Sequence, residues 1–254
     1  MKIVVLSPHR NDAAFSLGLT IESWLEQGHA VEVMNVFTRT EHAPFSDAGS
    51  LHPNDRASFA SAVRKREDEA WAKLYASVAG RGRLTFDDLN LKDAPLRLHC
   101  SPAEVQSRVP LLTEKVMLKL TRALEAARAD ALVLPLGVGN HVDHLTVRMG
   151  ALPADSGKVA LAFYEDLPYA AHEPSAVEAA VQASSLAAGI PLQPYFAGSE
   201  RPTEAAVARK RRLALCYDSQ IDDATADAIA GFCEQYEGRE RLWVNAAWRA
   251  AFPA

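Results

Sequence analysis

Two short polar segments carry side chains that commonly bind metal ions. In "SPHRND" the residues His9 and Asp12 stand three positions apart, and "HVDH" places His141, Asp143 and His144 within four positions. Two imidazoles and one carboxylate, with coordination positions left for water, are typical of a catalytic zinc site. The same ligand types also hold Fe(II), so residue types alone leave the metal open between these two ions. A bound zinc ion lowers the pKa of its water to about 7 and polarises a carbonyl group, so the segments favour hydrolytic chemistry.

Each polar segment directly follows an apolar strand of the predicted fold. Residues 2–6 are predicted to form a short buried strand, and residues 131–136 ("ALVLPL") a second one. Asp12 can cap a helix that ends at Gly28, and "AVEVMNVF" then resumes as a strand, which together predict a parallel βαβ unit. Ligands of open α/β sheets bind at the carboxyl ends of strands, so we expect both polar segments to face one crevice.

The rest of the chain fits the same class, an α/β Rossmann-like fold with a mostly parallel sheet and helices on both faces. We interpret residues 1–254 as one domain, because no linker or internal repeat divides them. The polar loop over 38–58 is long enough to be functional, whereas 165–202 has no periodicity that assigns it. The patterns predict further strands at "RLTF", "KVALAFYED" and "LWVN", and helices over 59–79, 103–128, 203–217 and 222–236.

The composition excludes several function classes. The net charge of −5 is spread over mixed acidic and basic residues, which predicts no nucleic-acid surface. No apolar run approaches the roughly 20 residues of a membrane span. The apolar opening of the chain is too short for a signal peptide, so we expect a cytoplasmic protein. The three cysteines are widely spaced, which favours reduced thiols, and the composition is compatible with a homo-oligomer.

Four segments resemble motifs of the zinc-dependent de-N-acetylases known as the PIG-L or LmbE family. "PHRNDAAFSLG" is similar to the family signature (A/P)HPDD followed by a helix start, and "HVDH" is similar to the second motif, HPDH. Weaker likenesses follow in "RKREDEAWAKL", similar to a family helix that carries Arg and Glu, and in "KRRLALCYDSQ", similar to a C-terminal K…SQ segment. The four matches occur in the expected order and span residues 3–220.

The resemblance implies a Rossmann-like fold and removal of acetyl groups from small N-acetylated sugar derivatives. By position in the motifs, His9, Asp12 and His144 would bind zinc. His141 would stabilise the oxyanion or protonate the leaving amine. Asp143 would orient the His141 imidazole as an outer partner, a role that its spacing also allows.

The chain departs from the family signature at two positions. Asn11 stands where the family has its general base, an aspartate, and Arg10 stands where proline is usual. We expect Arg10 and Arg64 to contact the substrate, although Arg64 on a charged helix could also be a solvated side chain. An amide cannot take a proton from water, and general-base catalysis contributes about 10²- to 10⁴-fold.

Three interpretations of Asn11 are open. The amide could impair a deacetylase whose metal site is intact, another carboxylate such as one from the 38–58 loop could supply the base, or the protein could be a zinc-dependent sugar binder. We favour the first, a deacetylase scaffold with impaired chemistry. A nucleotide or methyl-donor site is disfavoured, because the first turn lacks the G-x-G-x-x-G approach to a pyrophosphate.

Overall fold

A seven-stranded sheet forms the centre of the molecule. The computed structural model describes residues 1–76, 82–111, 115–197 and 201–253. The strand order is β3-β2-β1-β4-β5-β7-β6. β1 to β5 are parallel, whereas β7 runs antiparallel to both β5 and β6. The strands are β1 Lys2–Ser7, β2 Ala30–Asn35, β3 Arg83–Asp88, β4 Ala131–Pro135, β5 Ala160–Tyr164, β6 Gln193–Ala197 and β7 Glu240–Val244.

The central strands β1, β4 and β5 are almost entirely buried and mostly apolar, because they are covered on both faces. Every residue of β4 and β5 is buried, as are five of the six residues of β1. Buried parallel strands of this kind have near-continuous apolar sequences instead of alternating ones. The predicted α/β class with a mostly parallel sheet is confirmed, and the carboxyl ends of β1, β4 and β5 lie side by side.

Ten helices flank the sheet within the described residues, two of which begin at the polar segments. α1 starts at Asp12, directly after β1, and α5 starts at Val142, with His141 as its N-cap residue. No described helix is long and apolar enough to cross a bilayer. The helices are α1 Asp12–Glu26, α2 Pro53–Lys73, α3 Ala94–Leu98, α4 Lys115–Ala127, α5 Val142–Ala151, α6 Tyr169–His172, α7 Ala176–Ala188, α8 Thr203–Ala214, α9 Asp223–Gly231 and α10 Ala246–Ala251.

Several predicted boundaries are corrected by the structure. The single helix predicted over 103–128 is wrong: a 3-10 turn covers Pro102–Glu104, and α4 begins only at Lys115. Pro110 lacks an amide hydrogen and pushes the preceding residue out of helical geometry, which explains the break. Residues 112–114 of that prediction lie outside the described part of the chain.

The long polar stretches contain more regular structure than their sequence indicates. The helix predicted over 59–79 begins already at Pro53, where proline occupies the first turn, and its predicted end lies outside the described residues. The unassigned stretch over 165–202 contains α6, α7 and β6. β6 is an edge strand, and its exposed residues explain why it lacks the signal of the buried strands.

Candidate metal and catalytic site

Three side chains from two turns converge at the carboxyl edge of the sheet. The turn after β1 supplies His9 and Asp12, and the start of α5 supplies His144. The Oδ2 atom of Asp12 lies 3.2 Å from His9 Nδ1 and 3.4 Å from His144 Nε2. One ligand atom from each residue lies within 4.8 Å of the others, so the three could hold one metal ion. The predicted common crevice is therefore present.

Each of the two imidazoles is held from behind by a further carboxylate. Asp143 Oδ2 lies 3.1 Å from His9 Nε2, and Asp166 Oδ1 lies 2.6 Å from His144 Nδ1. Such partners fix the tautomer of a metal-ligating histidine and aim its other nitrogen at the metal. His144 Nε2 is buried and has no hydrogen-bond partner among the described residues, as expected of an atom reserved for a metal. The donor set therefore fits a divalent ion such as zinc.

Asp143 contacts His9 through its carboxylate, whereas the sequence led us to expect that carboxylate to orient His141. Its carboxylate faces His9, and it also accepts hydrogen bonds from the Ala94 amide at 2.8 Å and from Arg97 at 2.6 Å. Its backbone amide, not its carboxylate, contacts His141. His9, His141 and Asp143 form a second group with metal-ligand spacing. In that group the Asp143 carboxylate already accepts hydrogen bonds from Ala94 and Arg97, so the set with Asp12 fits an ion better.

Opposite charges around the three candidate ligands shift their pKa values strongly. Burial lowers the pKa of His9, but Asp12 and Asp143 outweigh it and raise that pKa to about 9. Burial raises the pKa of Asp12, yet His144 and His9 hold it far below its usual range. The pKa of His144 is raised, because Asp12 and Asp166 outweigh the effect of burial. The carboxylates thus favour positive charge at this point. Protons on the histidines supply that charge here, and a metal ion would supply it by displacing those protons.

The His141 side chain is held in a form suited to donate a hydrogen bond. Two glycines with positive φ, Gly137 at 78° and Gly139 at 79°, shape the turn that precedes it. Its Nδ1 accepts from the Asp143 amide at 3.1 Å, so its hydrogen lies on Nε2. Burial, with His9 and His144 nearby, lowers the pKa of His141 to about 3. The ring is therefore neutral near pH 7 and presents an N–H group.

A cavity of about 310 Å³ opens beside these residues. His9, Asn11, Asp12 and His141 line it, together with Glu41 and His42 from the loop after β2. Burial, together with Arg64 and His9, lowers the pKa of His42 to about 4. Its remaining lining residues are Arg64, Asp93, Pro95, Pro102, Val105, Pro168 and Tyr169.

The two arginines predicted to contact substrate occupy different surroundings. Arg64 lies in α2, lines the cavity and donates to Asn11 Oδ1 at 2.8 Å. Arg10 is not among the residues that line the cavity, and it forms ion pairs with Asp68 and Asp88. Arg10 is buried, and its guanidinium group links β3 to α2, so its contacts support a structural role.

Sequence reasoning missed Asp166, the residue that holds His144. It follows β5 by two positions and also accepts the amides of Gly137 and Val138 at 2.8 and 2.9 Å. The available signal was its place in "FYED", at the end of a third apolar strand beside the other two. Glu41 and Asp93 were also not singled out, since neither belongs to a recognisable motif.

Comparison with protein-family models shows the family of the chain. The family model described as GlcNAc-PI de-N-acetylase (PIG-L) matches residues 4–154. A 2'-N-acetylparomamine deacetylase from Streptomyces fradiae is 34% identical over 179 residues. That match covers 66% of this chain and 58% of the relative, so the chain spans little more than half the length of that protein.

Solved structures with the same fold include deacetylases of teicoplanin biosynthesis. One, bound to a ligand named bog, has a TM-score of 0.66 at 21% identity and covers 96% of this chain and 97% of that chain. A zinc-inhibited form of teicoplanin deacetylase has a TM-score of 0.65 at 21% identity, with the same coverage. At these identities the likeness establishes the fold alone, so the reaction must be argued from the site.

Proposed function

The chain belongs to the PIG-L family of GlcNAc-PI de-N-acetylases, and on that premise we propose that it is a zinc-dependent amide hydrolase. The proposed reaction removes the acetyl group from the nitrogen of a small amino sugar or of its glycoside. The observation that carries the proposal is the convergence of His9, Asp12 and His144 beside the cavity, with a carboxylate behind each imidazole. This arrangement supports three protein ligands and open positions, as in catalytic zinc sites.

The protein groups around the ligands support attack of water on an amide carbonyl. Zinc, when bound, lowers the pKa of water to about 7 and polarises the carbonyl oxygen. His141 is suited to stabilise negative charge on that oxygen, because its neutral ring presents Nε2–H from the cavity wall. Preorganised donors of this kind are among the largest contributions to acyl-transfer catalysis. The low pKa of His141 favours this role over protonation of the leaving amine.

The rest of the cavity supports binding of a sugar ring. Arg64 and Asp93 offer charged groups to hydroxyls, and Tyr169 with the neighbouring prolines offers an apolar face. Sugar rings have polar edges and apolar faces, so the charged groups of the cavity can bind the hydroxyls while its apolar face packs against the ring. A cavity of about 310 Å³ suits one substituted ring. We therefore keep Arg64 as a substrate-binding residue and assign no such role to Arg10.

Asn11 reduces the activity that this scaffold supports. It occupies the family position of the base and accepts a hydrogen bond from Arg64 at 2.8 Å. An amide cannot accept the proton of the attacking water, so turnover should fall below that of an Asn11→Asp variant by about 10²-fold or more. The metal ligands are unaffected by this replacement, since Asn11 is not among them.

A second candidate function is a catalytically silent, zinc-containing carbohydrate-binding protein. The observation that favours it is the same Asn11–Arg64 contact, which fixes the amide where a base is expected. Both functions require the metal and the cavity, and only turnover separates them.

Acetate release from N-acetylated sugars tests the proposal. We expect slow, metal-dependent release from at least one member of a panel that begins with 2'-N-acetylparomamine, the substrate named for the Streptomyces fradiae relative. Zinc should be added in equimolar amount and removed by chelator in the matched control. Saturable binding of a sugar without release of acetate would select the binding protein instead. If the protein neither binds a sugar nor releases acetate, both functions are contradicted.

A further inference from the structure

Three acidic residues line the cavity within the described part of the chain, and two of them have other tasks. Asp12 is one of the three candidate metal ligands. Asp93 caps α3 through a hydrogen bond from the Leu96 amide at 3.3 Å, and the Thr40 hydroxyl also donates to it. The third acid is Glu41, whose carboxylate has no hydrogen bond or ion pair with any described residue.

The backbone on both sides of Glu41 is fixed while its side chain is free. The Thr40 amide donates to Ser61 Oγ at 3.2 Å, which ties the loop to α2. The His42 amide donates to Thr40 Oγ1 at 2.9 Å. One residue before Thr40, the Arg39 carbonyl accepts from the Asp93 amide at 3.0 Å. These bonds hold the loop backbone beside the cavity, and the exposed Glu41 side chain lines the cavity from there.

On the basis of the proposed deacetylation, we propose that Glu41 is a general base that partly replaces the aspartate absent at position 11, so that the parent protein still turns over more slowly than Asn11→Asp. Its carboxylate accepts one proton from water as the water oxygen bonds to the acetyl carbonyl carbon. The resulting carboxylic acid then returns the proton to the amide nitrogen while the carbon–nitrogen bond breaks. Acetic acid, which gives its proton to solvent, and the free amino sugar leave, and Glu41 is again ionised.

His42, the next residue of the loop, is less suited to this task. Burial disfavours a charged imidazolium, whereas it favours a protonated, neutral carboxylic acid. A substrate that covers the cavity therefore makes His42 a weaker base. Arg64 and His9 already lower the pKa of His42, to about 4.

A double-mutant cycle separates a base from a binding or structural residue. The substitutions are Glu41→Gln and Asn11→Asp, alone and together, in zinc-loaded full-length protein. Glu41→Gln should lower kcat about 10²-fold in the parent with little change in KM, since Gln keeps the size and a hydrogen-bonding oxygen. In the Asn11→Asp background, where a second base is available, the same change should cost less than about threefold. Asp47→Asn, an exposed acid of the same loop outside the cavity, serves as the matched control.

Four outcomes would overturn the assignment of Glu41. An equal loss in both backgrounds would indicate binding or structure, and no loss in the parent would place the base elsewhere. Loss with His42→Gln but not with Glu41→Gln would transfer the role to the histidine. If the parent protein shows no detectable turnover, Glu41 has no reaction to catalyse and the assignment fails. In each case turnover by Asn11→Asp still reports separately on the proposed function.

Discussion

The Asp166→Asn substitution probes how the outer carboxylate prepares His144 for a metal. In the native chain one oxygen of Asp166 accepts from His144 Nδ1, and the other accepts the amides of Gly137 and Val138. An asparagine oxygen can keep the two backbone amides, but its NH₂ group must then face His144 Nδ1. That nitrogen becomes an acceptor and the ring hydrogen moves to Nε2, the atom that should bind the metal.

The expected loss follows from the bond that is replaced. To bind zinc, His144 must return its hydrogen to Nδ1, where it now faces another donor instead of a carboxylate. A hydrogen bond to a charged group contributes about 1.5–3 kcal/mol. At 1.4 kcal/mol per tenfold, this corresponds to roughly 10- to 100-fold weaker metal binding. Changes to outer partners of metal ligands typically have effects of about this size.

Competition with a chromogenic chelator measures the zinc affinity of parent and variant at one pH. Asp155→Asn is the matched control, because that carboxylate is exposed and pairs only with Lys158 among the described residues. Thermal unfolding of both proteins without metal shows whether the variant is folded. An Asp166→Asn protein that is folded and binds zinc as tightly as the parent would refute the role of Asp166 and of the Nε2 atom of His144.

Three further predictions concern neighbouring residues. His141→Ala should retain zinc while turnover falls by about 10²- to 10³-fold, the usual cost of one oxyanion donor. Metal content and kcat measured on one sample check this, and loss of zinc would indicate that His141, not His144, binds the metal. Zinc affinity should weaken as pH falls below about 9, because His9 must lose its proton to bind; calorimetry across this range checks it, and a pH-independent affinity would contradict it. Arg10→Met should lower the free energy of unfolding by about 3–5 kcal/mol, because it leaves the buried Asp68 carboxylate without its cationic partner. Denaturant unfolding measures this, and an unchanged stability with an altered KM would support Arg10 as a substrate contact.

The sequence predicted the parts of the fold and site that depend on local pattern. Apolar runs of four and six residues mark β1 and β4, and the polar segments that follow them contain all three candidate ligands. Parallel strands bring their carboxyl ends to one edge, so the convergence of His9 and His144 followed from the fold class. Boundaries such as the start of α4 were harder to predict, since one proline, Pro110, decides between a single helix and two segments.

Side-chain directions could not be predicted in the same way. Arg10 stands next to a metal ligand in the sequence, yet the fold brings Asp68 and Asp88 within its reach, and it is not among the residues that line the cavity. The partner of His144 is 22 positions away, and the contact between Asp143 and His9 spans 134. Such pairings depend on how the elements pack, and local pattern carries no information about the direction of the side chains involved.

The comparison of parent protein with Asn11→Asp tests the central claim most directly. Asn and Asp are nearly isosteric, and Arg64 can donate to either oxygen-bearing side chain, so the turn and the metal site should be unchanged. Acetate release from the best N-acetyl sugar is measured in matched samples with equimolar zinc and with chelator. We predict a gain of about 10²-fold or more in the zinc-loaded Asp variant and no release after chelation. Equal turnover in both proteins, or release that persists without metal, would contradict this account of the site.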